Sequence, residues 1–154
     1  MLSVNLGRLM TWALLGSLLV WAILGRGCGK TESVESPDQA DTPNQAMENV
    51  VAKEAFDLIE DNKGNTDFVI LDIRTPEEFS EGHIENATNL DYYSETFKEE
   101  LAQLDKSKTY LMHCRSGGRS SKAMTTMEEL DFLKVYHMTD GMNGWKAGGF
   151  PVAP

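Results

Sequence analysis

Residues 114–120 (CRSGGRS) hold the side chains of this chain best suited to covalent chemistry. The apolar run before them predicts a buried strand, and the residues after them predict a helix. A cysteine attacks as its thiolate, which nearby cations and a helix N-terminus stabilise. The two arginines of the run supply the cations, and its two glycines let backbone N–H groups turn inward around an anion. The pattern therefore predicts an active-site loop with Cys114 as the nucleophile.

The alternative for Cys114 is a structural role. A lone cysteine after an apolar strand is most often a small buried hydrophobe, and two adjacent glycines can mark only a turn. Here a strand end, two glycines, two arginines and a helix start coincide. That coincidence favours catalysis.

An apolar segment near the N-terminus predicts export. Residues 9–25 carry no charge and follow a basic start, as in a secretory signal, and the segment is short for a membrane span. Small residues flank Cys28, which resembles the lipidated cysteine of bacterial lipoproteins, although Gly25 and Arg26 depart from that motif. Three outcomes stay open for residues 1–28: lipidation of Cys28, an uncleaved membrane anchor, and plain cleavage. We expect a periplasmic, membrane-tethered protein, at the outer membrane if Cys28 is lipidated, or a secreted one after plain cleavage.

The charge balance narrows the class of partner. The chain has 24 acidic and 14 basic residues, a formal net charge of −10, and every acidic residue follows Cys28. Such a surface disfavours nucleic acid, and the basic cluster of Arg115, Arg119 and Lys122 within it suits a small anion. If Cys28 carries lipid, Cys114 has no partner within the chain, and an unpaired thiol in an oxidising compartment suggests a use. A disulfide between the two stays conceivable if Cys28 is free.

The rest of the chain divides into a linker and a domain. Residues 29–46 are polar and acidic with two prolines, a composition that predicts a disordered linker, and the domain is expected over residues 47–154. Alternating strands and helices predict an α/β fold with a mainly parallel sheet. Strands are expected at 68–72, 86–89, 109–113 and 135–138, and helices at 47–62, behind a capping box at 75–78, at 93–104 and at 120–132.

Four stretches together resemble the rhodanese domain, a family of sulfurtransferases. They are residues 71–79 (LDIRTPEEF), 82–87 (GHIENA), the 114–120 loop, and 141–145 (GMNGW) followed by 149–152 (GFPV). Their order and spacing match the family across essentially the whole predicted domain, although Asp140 stands in a turn where the family more often has glycine. A single domain behind an export signal is similar to the small periplasmic rhodaneses. The resemblance implies a three-layer fold with helices on both faces of the sheet.

The resemblance also implies sulfur transfer through a persulfide. Cys114 would attack the outer sulfur of a donor such as thiosulfate, release sulfite, and pass the sulfur to cyanide or a thiol, with no metal or organic cofactor. A monomer is expected. The residues implied to bind the donor are Arg115, Ser116, Gly117, Gly118, Arg119 and Ser120.

Residues outside the loop are expected in supporting or structural roles. Asp72 and Arg74 follow the same end of a predicted strand and are expected to brace the loop or each other. His113 is expected to pack in the core, because alternation along a strand sends its side chain away from that of Cys114. We expect His83 to pack or cap locally, and Trp145 to lie in the core or in a pocket wall.

Three rival hypotheses use the same cysteine loop or its fold. Cysteine phosphatases of related fold have five residues between cysteine and arginine, whereas four separate Cys114 from Arg119, so phosphatase activity is not favoured. A membrane-tethered sulfur carrier or thiol sensor without efficient turnover needs the same loop as an enzyme and stays open. A catalytically silent binding domain is disfavoured because the cysteine is present.

Overall fold

The computed structural model describes residues 45–154. The signal segment, Cys28 and all of the predicted linker except its last two residues lie outside the described residues. Among residues 45–154, no helix is both long and apolar enough to cross a membrane.

Five strands form one parallel sheet. The strands are β1 (Ala46–Val50), β2 (Phe68–Asp72), β3 (Thr88–Asn89), β4 (Thr109–His113) and β5 (Lys134–Met138). The helices are α1 (Ala52–Asp61), α2 (Pro76–Ser80), α3 (Phe97–Gln103), α4 (Gly118–Glu129) and α5 (Gly141–Ala147). The strand order is β1-β5-β4-β2-β3, and every pair is parallel. The predicted α/β fold is confirmed, and the carboxyl end of β4 lies between those of β2 and β5.

The core has two parts, one on each face of the sheet. Tyr110 and Met112 of β4, and Cys114 directly after it, pack with residues of α3 and α4, whereas Leu111 packs with residues of α1 and α5. This is the two-residue alternation of a strand buried on both faces. It places the Cys114 side chain on the α4 face. Trp145 of α5 is 2% exposed and belongs to the opposite face, as its predicted core position requires.

The predicted helix over residues 47–62 is wrong in its first turn. Residues Ala46–Val50 form strand β1, which pairs along its whole length with β5, and the helix begins only at Ala52. The apolar residues of this segment fit helical spacing locally. Its backbone groups instead pair with the edge of β5 that β4 leaves free. The Ala52 N–H donates to Asp140 Oδ2 at 3.2 Å, so the residue that departs from the family pattern caps the start of α1.

Other element boundaries also moved. Helix α3 begins four residues later than the predicted 93, because Ser94 and its neighbours form a turn closed by the Ser94 N–H to Asp91 O bond at 3.0 Å. Helix α4 begins at Gly118 rather than 120 and ends at Glu129 rather than 132. Helix α5 lies in the stretch that the sequence marked only as a motif. The capping box before α2 is confirmed: Thr75 Oγ1 accepts the Glu78 N–H at 3.3 Å.

Candidate active site

The loop after β4 turns sharply into α4, and glycine makes the turn possible. Gly117, the residue before α4, has φ of +85°, a left-handed conformation that side chains with a Cβ rarely adopt. A Cβ at Gly117 would also overlap the Thr139 carbonyl at the end of β5. The second glycine, Gly118, has open space around it and opens the helix. Of the two glycines, Gly117 is therefore the one that the turn requires.

The first turn of α5 is hydrogen-bonded to the backbone of the nucleophile loop. The Met142 N–H donates to the Cys114 carbonyl at 2.8 Å, and the Asn143 N–H donates to the Arg115 carbonyl at 2.9 Å. Gly141 has φ of +58°, and a Cβ there would lie 2.5 Å from the Cys114 carbonyl oxygen. The Cys114 and Arg115 carbonyls therefore face the start of α5.

Hydrogen-bond donors surround the Cys114 sulfur. The N–H groups of Ser116, Arg119 and Ser120 point at Sγ, and the Ser120 hydroxyl lies 3.4 Å from it. The Cys114 side chain is fully buried, and this burial raises the pKa of the thiol. The donors outweigh burial, so the pKa of Cys114 is lowered overall from its ordinary value. The loop therefore favours the thiolate, the nucleophilic form.

Ser120 also belongs to a chain of polar side chains that leads away from Cys114. Its Oγ lies 2.9 Å from His137 Nε2 and 3.1 Å from the Gly117 carbonyl. His137 Nδ1 in turn lies 2.9 Å from Asn49 Oδ1, on the neighbouring strand β1. Sequence reasoning missed both His137 and Asn49 as site residues. A signal was present, because alternation along β5 puts the polar His137 on the same buried face as Val135.

Arg119 meets a carboxylate at the mouth of the site. Its two terminal nitrogens donate to the two oxygens of Glu78 at 2.7 and 2.9 Å, and its guanidinium lies 5.4 Å from the centre of the Tyr93 ring. The hydrogen bond from Arg119 lowers the pKa of Glu78. Glu78 was predicted only as part of the capping box; it also holds the arginine in place. A donor anion would have to compete with Glu78 for Arg119.

The remaining loop residues face solvent. Arg115, Ser116 and Gly118 are exposed. Arg115 lines a polar cavity of about 180 Å³, to which Asn143 and Lys146 also contribute. Arg74, Glu78 and Glu81 also line this cavity, so its walls carry both signs of charge, and the anion-binding role of Arg115 stays a prediction. Lys122 is exposed on α4 and does not line the cavity.

Asp72 and Arg74 form a buried pair at the end of β2. Arg74 Nη2 donates to Asp72 Oδ2 at 2.6 Å and to the Gly82 carbonyl at 2.9 Å. Asp72 and Arg74 therefore hold each other and the chain around α2. These contacts do not include the cysteine loop. His113 is fully buried with Nε2 3.7 Å from Asp72 Oδ2, and burial lowers the pKa of His113. His83 stacks on Phe79 at a centroid distance of 3.9 Å, as its predicted local packing requires.

A second, larger cavity lies away from the cysteine loop. It has a volume of about 490 Å³, and its walls come from α1, the start of β2 and the α5 region, including Phe56, Phe68 and Trp145. None of its lining residues belongs to the 114–120 loop, and it presents no cysteine or histidine. Within residues 45–154, no cluster of three or more His, Cys, Asp or Glu side chains is arranged to hold a metal ion.

Comparison with known proteins identifies the family of this chain. Residues 52–148 match the family model described as a rhodanese-like domain. The chain belongs to the rhodanese-like domain family. This rhodanese-like domain is 35% identical over 92 residues to "Thiosulfate sulfurtransferase 16, chloroplastic" of Arabidopsis thaliana, a match that covers 53% of this chain and 77% of that protein. It is 28% identical over 86 residues to a protein named "Sulfurtransferase" of Allochromatium vinosum, covering 56% of this chain and 78% of that one.

A longer relative and a solved structure complete the comparison. The rhodanese-like domain is 31% identical over 111 residues to a tRNA uridine(34) hydroxylase of Photorhabdus laumondii, but the match covers 68% of this chain and only 30% of that protein. A crystal structure of a rhodanese-related protein from Thermoplasma volcanium superposes with a TM-score of 0.59 at 25% identity, covering 69% of this chain and 97% of that one. The three-layer rhodanese fold expected from the sequence is thereby confirmed.

Proposed function

We propose that this protein is a sulfurtransferase that moves a sulfane sulfur from a small anionic donor such as thiosulfate to a thiol or cyanide through a persulfide on Cys114. One observation carries the proposal: three loop N–H groups and the Ser120 hydroxyl converge on the Cys114 sulfur and lower the pKa of its thiol. A relative named as a thiosulfate sulfurtransferase supports the choice of donor.

The first half-reaction forms the persulfide. The Cys114 thiolate attacks the outer sulfur of thiosulfate, a new S–S bond forms, and the S–S bond of the donor breaks. The electron pair of that broken bond leaves on sulfite. No oxidant or reductant is consumed, because the sulfane sulfur is transferred without its two bonding electrons and the thiolate supplies the pair for the new bond.

The second half-reaction unloads the sulfur. Cyanide carbon, or the sulfur of an acceptor thiolate, attacks the outer sulfur of the persulfide. The S–S bond to Cys114 breaks, its electron pair returns to the Cys114 sulfur, and thiocyanate or a new persulfide leaves. The loop N–H groups that hold the thiolate also hold the negative charge of the persulfide, so the same cradle serves both halves of the cycle.

On this proposal, the two arginines of the loop bind the donor. Arg115 is exposed beside the loop, and Arg119 presents a planar fork that matches the oxygens of a sulfonate-like group. On this proposal Arg119 exchanges Glu78 for the donor anion and stabilises the sulfite that departs. The acidic composition of the chain, with its formal net charge of −10, makes this cluster the favourable entry for a small anion.

The test is the mass of the peptide containing Cys114 after brief exposure of the reduced full-length chain to thiosulfate. We expect a gain of one sulfur atom on Cys114, its loss on addition of cyanide, and release of thiocyanate. Cys114→Ser is the first control, and Cys28→Ser, which leaves the nucleophile intact, is the matched second control. No gain from thiosulfate or from a panel of persulfide donors, on a thiol shown to be reduced, contradicts the proposal.

The same experiment separates an enzyme from a sulfur carrier. Repeated release of thiocyanate, many times the amount of protein, supports turnover. A single loading that small acceptors do not discharge supports a carrier or thiol sensor instead. Release of phosphate from an aryl phosphate that depends on Cys114 would contradict both and favour the phosphatase hypothesis.

We further propose that residues 1–28 direct export and that Cys28 is the lipidation site that tethers the domain to a membrane. The uncharged segment at residues 9–25 and the small residues around Cys28 support this proposal. Expression of the full chain with a radiolabelled fatty acid should label the protein, and Cys28→Ser should remove the label. Membrane association without label would favour an uncleaved anchor, and a soluble exported form would favour plain cleavage.

A further inference from the structure

The polar chain from Cys114 to Asn49 links the nucleophile to a histidine that the proposed cycle does not use. Four side chains follow one another: Cys114 Sγ, Ser120 Oγ at 3.4 Å, His137 Nε2 at 2.9 Å from Ser120, and Asn49 Oδ1 at 2.9 Å from His137 Nδ1. His137 is 5% exposed and Ser120 is fully buried, whereas Asn49 is exposed at the other end. The two inner members are therefore shielded from water, and each finds its hydrogen-bond partner within the chain.

The Ser120 hydroxyl has one proton, and when it is donated to the Gly117 carbonyl, 3.1 Å away, the chain is interrupted before Cys114; two other arrangements of protons keep the chain continuous. Asn49 Oδ1 can only accept, so His137 Nδ1 carries a proton in both. In the first arrangement Nε2 is bare and accepts the Ser120 O–H, and the Ser120 oxygen accepts the Cys114 S–H. In the second arrangement Nε2–H donates to the Ser120 oxygen, and the Ser120 O–H donates to the Cys114 thiolate. Proton transfer along the chain converts one into the other, with thiol and imidazole becoming thiolate and imidazolium.

The surroundings of Cys114 favour the second arrangement, whereas the burial of His137 opposes it. Three loop N–H groups point at the Cys114 sulfur, and a thiolate accepts them far better than a thiol does. The imidazolium would find an oxygen acceptor for each ring N–H, Asn49 Oδ1 on one side and the Ser120 hydroxyl and Gly117 carbonyl on the other. Burial of His137 opposes its protonation and lowers its pKa.

We propose that His137 is a positioning residue that orients the Ser120 hydroxyl and receives the Cys114 proton through it, so that the buried nucleophile can ionise without releasing that proton to solvent. The proton on Sγ moves to the Ser120 oxygen as the Ser120 proton moves to His137 Nε2. The electron pair of the S–H bond stays on sulfur. This inference rests on the proposed function, because it explains how the proposed nucleophile is activated.

Few other groups can produce the same titration. The side chains and carbonyl that face His137 are Asn49 from β1, Ser120 from α4 and the Gly117 carbonyl from the loop, and none of them is charged. Near Cys114 itself, Arg119 carries a charge and is held by Glu78, and the buried His113 places its Nδ1 3.3 Å from the Cys114 carbonyl; neither group is altered in the variants below. A titration of Cys114 that responds to changes at His137 therefore reports on the hydrogen-bond chain.

The experiment measures the pH dependence of Cys114 alkylation by iodoacetamide in the full-length chain, quantified on the tryptic peptide of residues 109–115 so that Cys28 does not contribute. We compare the unchanged protein with His137→Gln. Glutamine can donate to Ser120 but cannot take up a proton, so the relay predicts a midpoint about one pH unit higher, which means about tenfold less thiolate at a given pH below it. An unchanged or lowered midpoint would overturn the proposal and leave His137 a purely structural hydrogen-bond partner.

Asn49→Asp gives a second test with the opposite sign. A carboxylate at the far end of the chain would stabilise the imidazolium, so the relay predicts a lower midpoint for Cys114. Without the relay, an added negative charge repels the thiolate and raises the midpoint. Because Asn49 is exposed, this variant tests the proposal even if His137→Gln does not fold. Asn65→Asp is the charge control. It makes the same change at an exposed residue just before the amino end of β2, away from Cys114, and should leave the midpoint unchanged.

Sulfur loading separates this inference from the proposed function. If the unchanged protein takes up sulfur from thiosulfate but neither variant shifts the alkylation midpoint as stated, the relay is wrong and the sulfurtransferase proposal stands. If the midpoints shift as stated but no donor loads Cys114, the relay holds and the proposed function fails. The two readouts are independent because alkylation needs no sulfur donor.

Discussion

Two pairs of arginine and carboxylate lie near the carboxyl ends of the sheet, and they differ mainly in their access to water. In the Asp72–Arg74 pair the side chains are 0% and 4% exposed, whereas in the Glu78–Arg119 pair they are 24% and 14% exposed. Both pairs are held by short, charge-assisted hydrogen bonds. The buried Asp72–Arg74 pair holds the chain around α2, whereas in the proposed function the outer pair opens and offers Arg119 to the donor anion.

The cost of breaking each pair follows from its surroundings. A buried charge that loses its partner keeps its full desolvation penalty, whereas a partly exposed one is solvated by water. Arg74 also holds two carbonyls of the chain around α2, Glu78 at 2.8 Å and Gly82 at 2.9 Å, so its loss leaves several groups unpaired. Arg119 bonds only the Glu78 carboxylate and stacks on Tyr93.

The largest expected effect is on stability. Arg74→Leu should lower the free energy of unfolding by about 3–5 kcal/mol, because it strands the buried Asp72 carboxylate. Arg119→Leu should lower it by no more than about 1 kcal/mol. Urea unfolding followed by circular dichroism measures both. Equal losses in the two variants would contradict the distinction between the pairs.

The next effect is on sulfur loading and concerns the outer pair. Arg119→Gln should slow the loading of Cys114 by thiosulfate by about tenfold, the loss of one charge-assisted contact to the donor. Lys122→Gln, which removes a charge from the exposed face of the same helix, is the matched control and should load at close to the original rate. A similar slowing in both variants would mean that general charge, and not the Arg119 fork, recruits the donor.

The free energy of unfolding should also depend on pH through His113, which lies beside the buried pair. Burial holds the pKa of His113, beside Asp72, below its ordinary 6.5. As pH falls below 6.5, the unfolded chain therefore takes up a proton that the folded chain refuses, and the free energy of unfolding falls. His113→Gln should remove its share of this loss, so its stability curve between pH 7 and 5 should be flatter. His137 shifts in the same direction, so a residual slope is expected in the variant; a curve parallel to that of the unchanged protein would contradict the prediction.

The smallest effect is that of the outer pair on acid stability. The hydrogen bond from Arg119 lowers the pKa of Glu78 below its ordinary 4.5, so the stabilisation is present above pH 4.5 and is lost as pH falls through the lowered value. Glu78→Gln should therefore lose less than about 1 kcal/mol at neutral pH, and the difference should vanish in acid. Thermal unfolding of both proteins from pH 7 to pH 3 measures it. A difference that persists at the acid end would assign the effect to packing.

The sequence predicted the parts of the molecule that local patterns determine. The apolar runs at β2 and β4 predicted their bounds, since strands buried on both faces read as continuous apolar segments. Strand β1 was missed because Val50 and Val51 also fit helical spacing, and only pairing with β5, far along the chain, decides between the two. Cys114 could be found from its loop, whereas Glu78 and Asn49 reach the site through contacts between elements distant in sequence.

The backbone at Gly141 packs so closely against the Cys114 carbonyl that no side chain fits between them. A Cβ at Gly141 would overlap the Cys114 carbonyl and one at Gly117 would overlap the Thr139 carbonyl, whereas Ser116 is exposed and Gly118 has open space around it. In a library of variants selected for new sulfur donors, substitutions should therefore accumulate at the exposed loop residues, and Gly117 and Gly141 should be retained. On the proposed function, substitutions at the exposed loop residues would change the choice of donor and leave the N–H groups around the sulfur in place.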